Sequence, residues 1–253
     1  MLASQRRQKI IDLLTEDGMA RVAELSRIFQ VSEVTIRQDL DKLEHEDLII
    51  REHGGAYLKS LAAQVQSFTF QHQENMDLKS RIGARAAEMI EDGSTIILDS
   101  GSTTTEVARH IQEFSDLTVI TNAVNIPLII GGRRGLIVLL TSGEFKAPTL
   151  SLTGQKAADF FENLHADKLF LATAGITLKA GLTYPSLSDL PVKKAMIDAA
   201  ETVYLVADSS KIGKQALASL GALSLIDYLI TDDSITNDQK NDFEKHGIKF
   251  IMA

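Results

Sequence analysis

From residue 95 onward, short apolar runs alternate with helix-spaced patterns, and that alternation narrows the possible folds more than anything else in the chain. Strand-like runs fall at 95–98, 117–120, 137–140, 168–172, 202–207, 228–231 and 249–252. Helical patterns lie between most of them, at 104–114, 123–130, 155–164, 191–200 and 237–246. Apolar strands separated by helices predict a mostly parallel sheet covered by helices on its faces. In such sheets ligands sit beyond the carboxyl ends of the strands.

The residues at those ends are small, hydroxylic or charged. The first end reads LDSGSTTTEV, from Leu98 to Val107. A strand that stops at a Gly/Ser/Thr turn and continues as a helix aims free N–H groups, and the positive end of the helix dipole, at one spot. Asp99, Ser100, Gly101, Ser102, Thr103 and Thr104 are therefore candidates for an anion cradle, the alternative being a tight turn whose hydroxyls cap the helix. No G-x-x-x-x-G-K-[ST] run occurs, which excludes a nucleotide P-loop. Later ends bring Thr121-Asn122, Thr141-Ser142, Thr173-Ala174-Gly175 and Asp208-Ser209-Ser210-Lys211. Phosphate would meet the first loop and sugar hydroxyls the others. Lys193 and Lys211 lie near strand ends and can neutralise phosphate, or can be solvated surface lysines. Asp208 with Lys211 can orient a sugar hydroxyl, or be a structural pair.

The first sixty residues read differently. Arg6, Arg7, Ile10, Ile11 and Leu14 give one amphipathic helix ending near Gly18, and Val22, Leu25, Ile28 and Phe29 a second. After a Gln30-Val31 corner, Ser32 can cap a third helix with Ile36, Leu40 and Leu43 on one face. Two short helices joined by a tight turn form the helix-turn-helix pattern. At about 100° per residue, the opposite side of the third helix carries Val34, Arg37, Gln38, Asp41 and His45, with Thr35 and Lys42 on its flank. Arg37 can read guanine, Gln38 adenine, and Val34 a thymine methyl. Ser32 and Thr35 sit where a helix N-terminus meets phosphate. The run LIIREHGGAY around Gly54-Gly55 reads as a hairpin, the wing of a winged helix, with Arg51 and His53 near a flanking phosphate or minor groove. The competing reading is a three-helix protein-interaction module.

Charge does not decide between them. The chain carries −8 overall, and its first sixty residues hold nine Lys/Arg against eleven Asp/Glu. DNA binding must therefore rest on a local face and not on bulk charge. Cysteine is absent, which excludes disulfides and thiolate metal sites and suits a reducing cytosol. The most apolar region, 126–140, is cut by Gly131-Gly132-Arg133-Arg134-Gly135 into pieces too short to span a bilayer. The N-terminus has no long apolar run and is not expected to be a signal peptide. His53, His72, His110 and His165 lack metal-ligand spacing, so no metal is expected.

The stretch VSEVTIRQDLDKLEHEDLIIREHGGA resembles the DNA-binding domain of the DeoR family of bacterial sugar-responsive transcription regulators. The signature pairs Arg6 with the run Ser32, Thr35, Ile36, Arg37, Gln38, Asp39, Leu40, with Gln38 at a commonly basic position. The second half resembles the family's effector-sensing domain over nearly its whole length, through 99–104, Thr121-Asn122, Ala174-Gly175-Ile176, Gly181-Leu182-Thr183, Lys193-Lys194-Ala195-Met196 and Ala207-Asp208-Ser209-Ser210-Lys211. Asp189 matches an acidic position before that lysine pair, while Pro191 between them and Gln71-His72-Gln73 depart from the family's pattern. The resemblance implies a winged helix-turn-helix domain at 1–57, a polar, Gln-rich linker at 58–77 and an α/β sensor domain at 78–253. The sensor is expected to share the fold of ribose-5-phosphate isomerase, glucosamine-6-phosphate deaminase and coenzyme A transferases. A cytoplasmic repressor of a carbohydrate-utilisation operon follows, acting as a dimer or tetramer on double-stranded operator DNA. A phosphorylated sugar, polyol or amino sugar would release it. The alternatives are a sugar-phosphate isomerase or deaminase with an appended interaction module, and a protein-interaction scaffold. A catalytic role needs a general base poised near C–H, and no second carboxylate or histidine is obviously placed beside Asp99 or Asp208.

Overall fold

The computed structural model describes residues 2–17, 19–46, 48–52, 54–58 and 74–253. The chain divides into two compact units, the division falling between Gln73 and Glu74. Most of the expected linker, and His53, lie outside the described residues.

The first unit runs α1 (Ala3–Asp17), β1 (Met19–Arg21), α2 (Val22–Phe29), α3 (Glu33–His45), β2 (Ile49–Glu52) and β3 (Gly55–Leu58). Ile10, Leu14, Leu25, Ile36, Leu40 and Ile49 close its core. Gln30 takes the left-handed conformation (φ 53°) that ends α2, and the Thr35 amide donates to Ser32 Oγ at 3.1 Å to start α3. The hairpin is wider than the sequence suggested. β1, only three residues long, joins it to make an antiparallel sheet in the order β1-β3-β2. Gly55 permits this, since a Cβ there would lie 2.7 Å from the Ala20 carbonyl oxygen.

Inside this unit sits a charge cluster. Asp39 on α3 is buried and accepts from Arg6 Nε at 2.5 Å, with Arg7 Nη1 at 3.5 Å. Arg6, expected among the DNA contacts, is thus 8% exposed and pins α1 to α3. A guanidinium removed from water needs its carboxylate, and holding both on rigid helices supplies it.

The second unit runs α4 (Met76–Ala87), β4 (Thr95–Leu98), α5 (Ser102–His110), β5 (Leu117–Thr121), α6 (Asn125–Ile130) and β6 (Leu136–Leu140). It continues with β7 (Glu144–Lys146), β8 (Ser151–Thr153), α7 (Gln155–Asp159), β9 (Ala166–Leu171), β10 (Gly175–Thr177) and β11 (Gly181–Tyr184). α8 (Leu190–Asp198), β12 (Ala200–Val206), β13 (Ala218–Gly221), β14 (Tyr228–Thr231), α9 (Asn237–Glu244) and β15 (Lys249–Met252) complete it. Seven strands form one sheet in the order β15-β14-β12-β9-β4-β5-β6, and every adjacent pair is parallel. They are the seven runs expected from the sequence. α4, α5 and α6 bury Ile82, Val107 and Ile126 with Ile96 and Leu98 on one face. α7, α8 and α9 bury Ala157, Met196 and Phe243 with Ile97 and Leu205 on the other. Phe170, Tyr204 and Tyr228 stack across adjacent strands at 5.3 and 5.0 Å between ring centroids. The hairpin β7-β8 and the antiparallel sheet β10-β11-β13 extend the unit beyond the alternating pattern.

Replacing Asp39 with alanine leaves the two arginines facing each other without their acceptor. The first unit is then expected to lose about 3 kcal/mol or more, the cost of breaking a buried pair, read as an earlier unfolding transition in chaotrope titration of the full chain.

Candidate functional site

The chain adds β5 and β6 on one side of β4, then β9, β12, β14 and β15 on the other. The strand order reverses between β4 and β9, so the crevice where ligands bind in open parallel sheets opens at their carboxyl ends. Asp99, directly after β4, is wholly buried there. Its carboxylate accepts from the Ser100 amide at 2.6 Å, from the Ala172 amide beyond β9 at 3.0 Å, and from Lys193 Nζ of α8. Lys193, only 4% exposed, also donates to Ser100 Oγ at 3.2 Å and lies 5.4 Å from the Tyr184 ring centroid. Tyr184 donates its hydroxyl to the Ala172 carbonyl at 2.8 Å. Burial pushes the Asp99 carboxyl above the ordinary carboxylate range, against the pull of Lys193. Burial likewise pushes the Tyr184 phenol well up, so it stays a neutral donor.

This pair braces the loop that follows. A Cβ on Gly101 would stand 2.8 Å from the Ala172 Cβ, so β9 passes too close for any larger residue. The hydroxyls of Thr104 and Thr105 both donate to the Gly101 carbonyl, at 3.0 and 2.7 Å. Those hydroxyls cap the loop; the first amides of α5, from Ser102 and Thr103, are what an anion would meet. Asn122, after β5, reaches Ser100 Oγ at 3.5 Å and the Leu152 carbonyl at 3.1 Å. Its buried Oδ1 has no hydrogen-bond partner among the described residues. Thr121 is turned to local structure, its hydroxyl accepting from the Ala123 amide at 3.0 Å. Gly175 opens β10 where the Lys214 carbonyl oxygen would stand 2.5 Å from a Cβ.

The structure therefore gathers Asp99, Ser100, Gly101, Asn122 and Lys193, and places Asp208 among different partners. Asp208 Oδ1 accepts from the Ser210 amide at 3.1 Å and from Asn75 Nδ2, just before α4, at 3.3 Å. Beside it lies buried Lys79, whose ammonium burial holds below its usual range, with Asp208 opposing that shift and Lys211 adding to it. Lys79, Tyr184 and the Lys146–Asp189 pair at 2.8 Å were not anticipated from the sequence. The signal for Lys79 was the small residue Gly83 one turn on, which brings α4 against Glu106 of α5. Among the described residues no cluster of three or more His, Asp or Glu is arranged to hold a metal ion. The Asp99 carboxylate is engaged by a lysine and two amides.

In the first unit, α3 presents Val34 (61% exposed), Arg37, Gln38 and Lys42 outward, with Thr35 half-buried. Arg37 pairs with Glu33 at 2.7 Å on the surface, an exchangeable contact in water. Arg51 of the wing pairs with Asp41 of α3, and Gly54 turns the hairpin at φ 82°.

A three-helix head with a wing, followed by a parallel α/β unit with a braced polar loop at its strand switch point, defines a winged helix-turn-helix regulator with a sensor domain. Residues 6–61 match the DeoR-like helix-turn-helix domain and residues 74–233 the DeoR C terminal sensor domain. The chain belongs to the DeoR family and is a DNA-binding transcription regulator. It is 32% identical over 251 residues to the HTH-type transcriptional regulator GlpR of Haloferax volcanii, covering 99% of this chain and 98% of that one. It is 32% identical over 232 residues to the glycerol-3-phosphate regulon repressor of Escherichia coli, covering 92% of each. These relatives are named as regulators, not as enzymes. Among solved structures, ribose 5-phosphate isomerase A from Methanocaldococcus jannaschii is similar over 55% of each chain, at 17% identity and a TM-score of 0.40. No helix among the described residues is long and apolar enough to cross a membrane.

Lys193→Met strands the Asp99 carboxylate in the interior. Without its cation the Asp99 pKa rises further, and a carboxyl raised above its unfolded value contributes stability that is lost as pH rises. The variant's deficit should therefore be small near pH 4 and grow to about 3 kcal/mol toward neutrality, as thermal melts across that range would record.

Proposed function

We propose that this chain represses carbohydrate-utilisation genes and leaves its operator when a phosphorylated sugar, polyol or amino sugar binds the second unit. The observation that carries this reading is the loop 99–104, held by the buried Asp99–Lys193 pair with the start of α5 at the sheet's switch point. Phosphate sits on the amides of Ser102 and Thr103, and hydroxyls of the ligand face Ser100, Asn122 and Gly175. Asp208 and Lys211 act at a nearby strand end, where Asp208 Oδ2 is buried without a hydrogen-bond partner among the described residues. The E. coli relative's name, a glycerol-3-phosphate regulon repressor, supports a small phosphorylated ligand.

The head reads the operator through Val34, Thr35, Arg37 and Gln38, with Ser32, Lys42, Arg51 and Gly54 against the phosphates and His53 beside them. A single head buries little DNA surface, so a dimer or tetramer works on repeated half-sites in the cytoplasm. A ligand releases it by binding the arrangement of heads that does not fit DNA more tightly than the one that does.

The test selects an operator from a random DNA pool and titrates it by gel shift with and without a panel of phosphorylated sugars and polyols. Release by one compound at constant chemistry supports sensing; turnover of the compound overturns it. Arg37→Ala should cost about 1–3 kcal/mol of operator affinity and relax specificity at one base pair. Gly101→Val, which drives a side chain into Ala172, should abolish release while operator affinity stays as in the parent. Loss of operator binding in that variant would make the loop structural.

A further inference from the structure

We infer that β6 is the seam of a two-fold dimer, pairing antiparallel with β6 of a second copy of this chain to continue the sheet across both. β6 is the terminal strand of the seven-stranded sheet and, among the described residues, pairs only with β5. Its sequence is Leu136-Ile137-Val138-Leu139-Leu140, with no lysine, proline or bulge, the devices that keep a free edge from pairing. Ile137 is 59% exposed, and Leu139 and Leu140 are also exposed. Five uncharged residues at an open edge beside exposed apolar side chains mark a surface made to be covered.

Backbone parity gives the edge its direction. Gly135 O accepts from the Leu117 amide, and the Thr141 amide donates to Thr121 O, so odd-numbered residues face β5. In a parallel strand both polar groups of a residue point to one side, which turns those of Leu136, Val138 and Leu140 outward.

The occupant follows from symmetry. About Val138 the strand is nearly palindromic: Leu136 would face the second copy's Leu140, and Ile137 its Leu139. A segment that matches its own reverse suits the self-complementary patch of a two-fold interface, which closes without leaving an edge. Charge agrees. Exposed Arg134 precedes the strand and exposed Glu144 lies just beyond its other end, two residues from the Ser142 that would face Arg134, so antiparallel pairing brings the basic end of each copy near the acidic end of the other.

This rests on the homo-oligomer proposed above, and sedimentation velocity of the full 27.7 kDa chain separates the two. Val138→Pro removes one outward N–H and no bond to β5, so the variant should keep its circular dichroism and sediment at half the parent's mass. Arg134→Glu and Glu144→Arg should each weaken association several-fold, and the double reversal should restore it. An oligomer indifferent to all of these overturns the β6 seam and leaves the oligomer standing. A monomeric parent overturns both. A monomer whose Val138 and Leu140 amides resist hydrogen exchange would show that the chain's own residues cover the edge.

Discussion

The buried contact between Asp99 and Lys193 joins elements 94 positions apart, and the sensor's functional geometry hangs on it. Neither group is stable alone in an interior without water. Together, with the amides of Ser100 and Ala172 completing the carboxylate's shell, they fix three things at once. They set where β4 ends relative to β9, where α8 docks against the sheet, and how the loop after Asp99 leaves the strand. A pair so enclosed contributes little net stability compared with an apolar substitute, but it specifies one arrangement. That suits the proposed anion-binding loop, whose amides must be held still. The nearby Tyr184 adds a neutral donor to the Ala172 carbonyl, so the β9 terminus is tied from both sides.

The first unit uses the same device. Asp39 occupies a position in α3 that the helical wheel leaves out of both the apolar and the reading faces. Its carboxylate draws in Arg6 and Arg7 from α1, and the recognition helix is thereby set against the rest of the head. Arg37, two residues earlier, stays outside, paired among the described residues with a solvated glutamate. Two arginines of one motif thus do opposite work: Arg6 spends its charge inside the fold and Arg37 keeps its charge for the exterior.

Much of this was legible from residues alone, for a physical reason. Six of the seven main strands are apolar runs followed within a residue or two by polar residues, a pattern that survives without knowledge of its neighbours. β1, β7, β8 and β10 were not legible because three residues carry no period, and their pairing partners lie outside their own stretch. The same limit applies to side chains. A lone lysine in sequence reads as surface, and nothing beside Lys193 announces a buried acidic partner 94 positions earlier. Loop positions were readable because glycine and hydroxyl residues declare themselves locally. Which hydroxyls serve the loop itself was not: Thr104 and Thr105 are taken by the Gly101 carbonyl, leaving amides as the donors.

The net charge of −8 gains meaning from this division. A chain that attracted polyanions everywhere would bind DNA without discrimination, and sequence readout would be lost in a large salt-dependent background. Here acidic residues flank the basic ones even on the head, where Glu33 and Asp41 hold Arg37 and Arg51. Any anion that either arginine meets must first displace that carboxylate, so a poor fit gains little. In general, a contact that must displace an existing partner lowers affinity and favours discrimination between well-fitting and poorly fitting surfaces. The same reasoning makes release by a small ligand feasible. In the mechanism proposed above, a coupling of only about 1–3 kcal/mol between sensor and DNA-binding unit is enough to change occupancy many-fold.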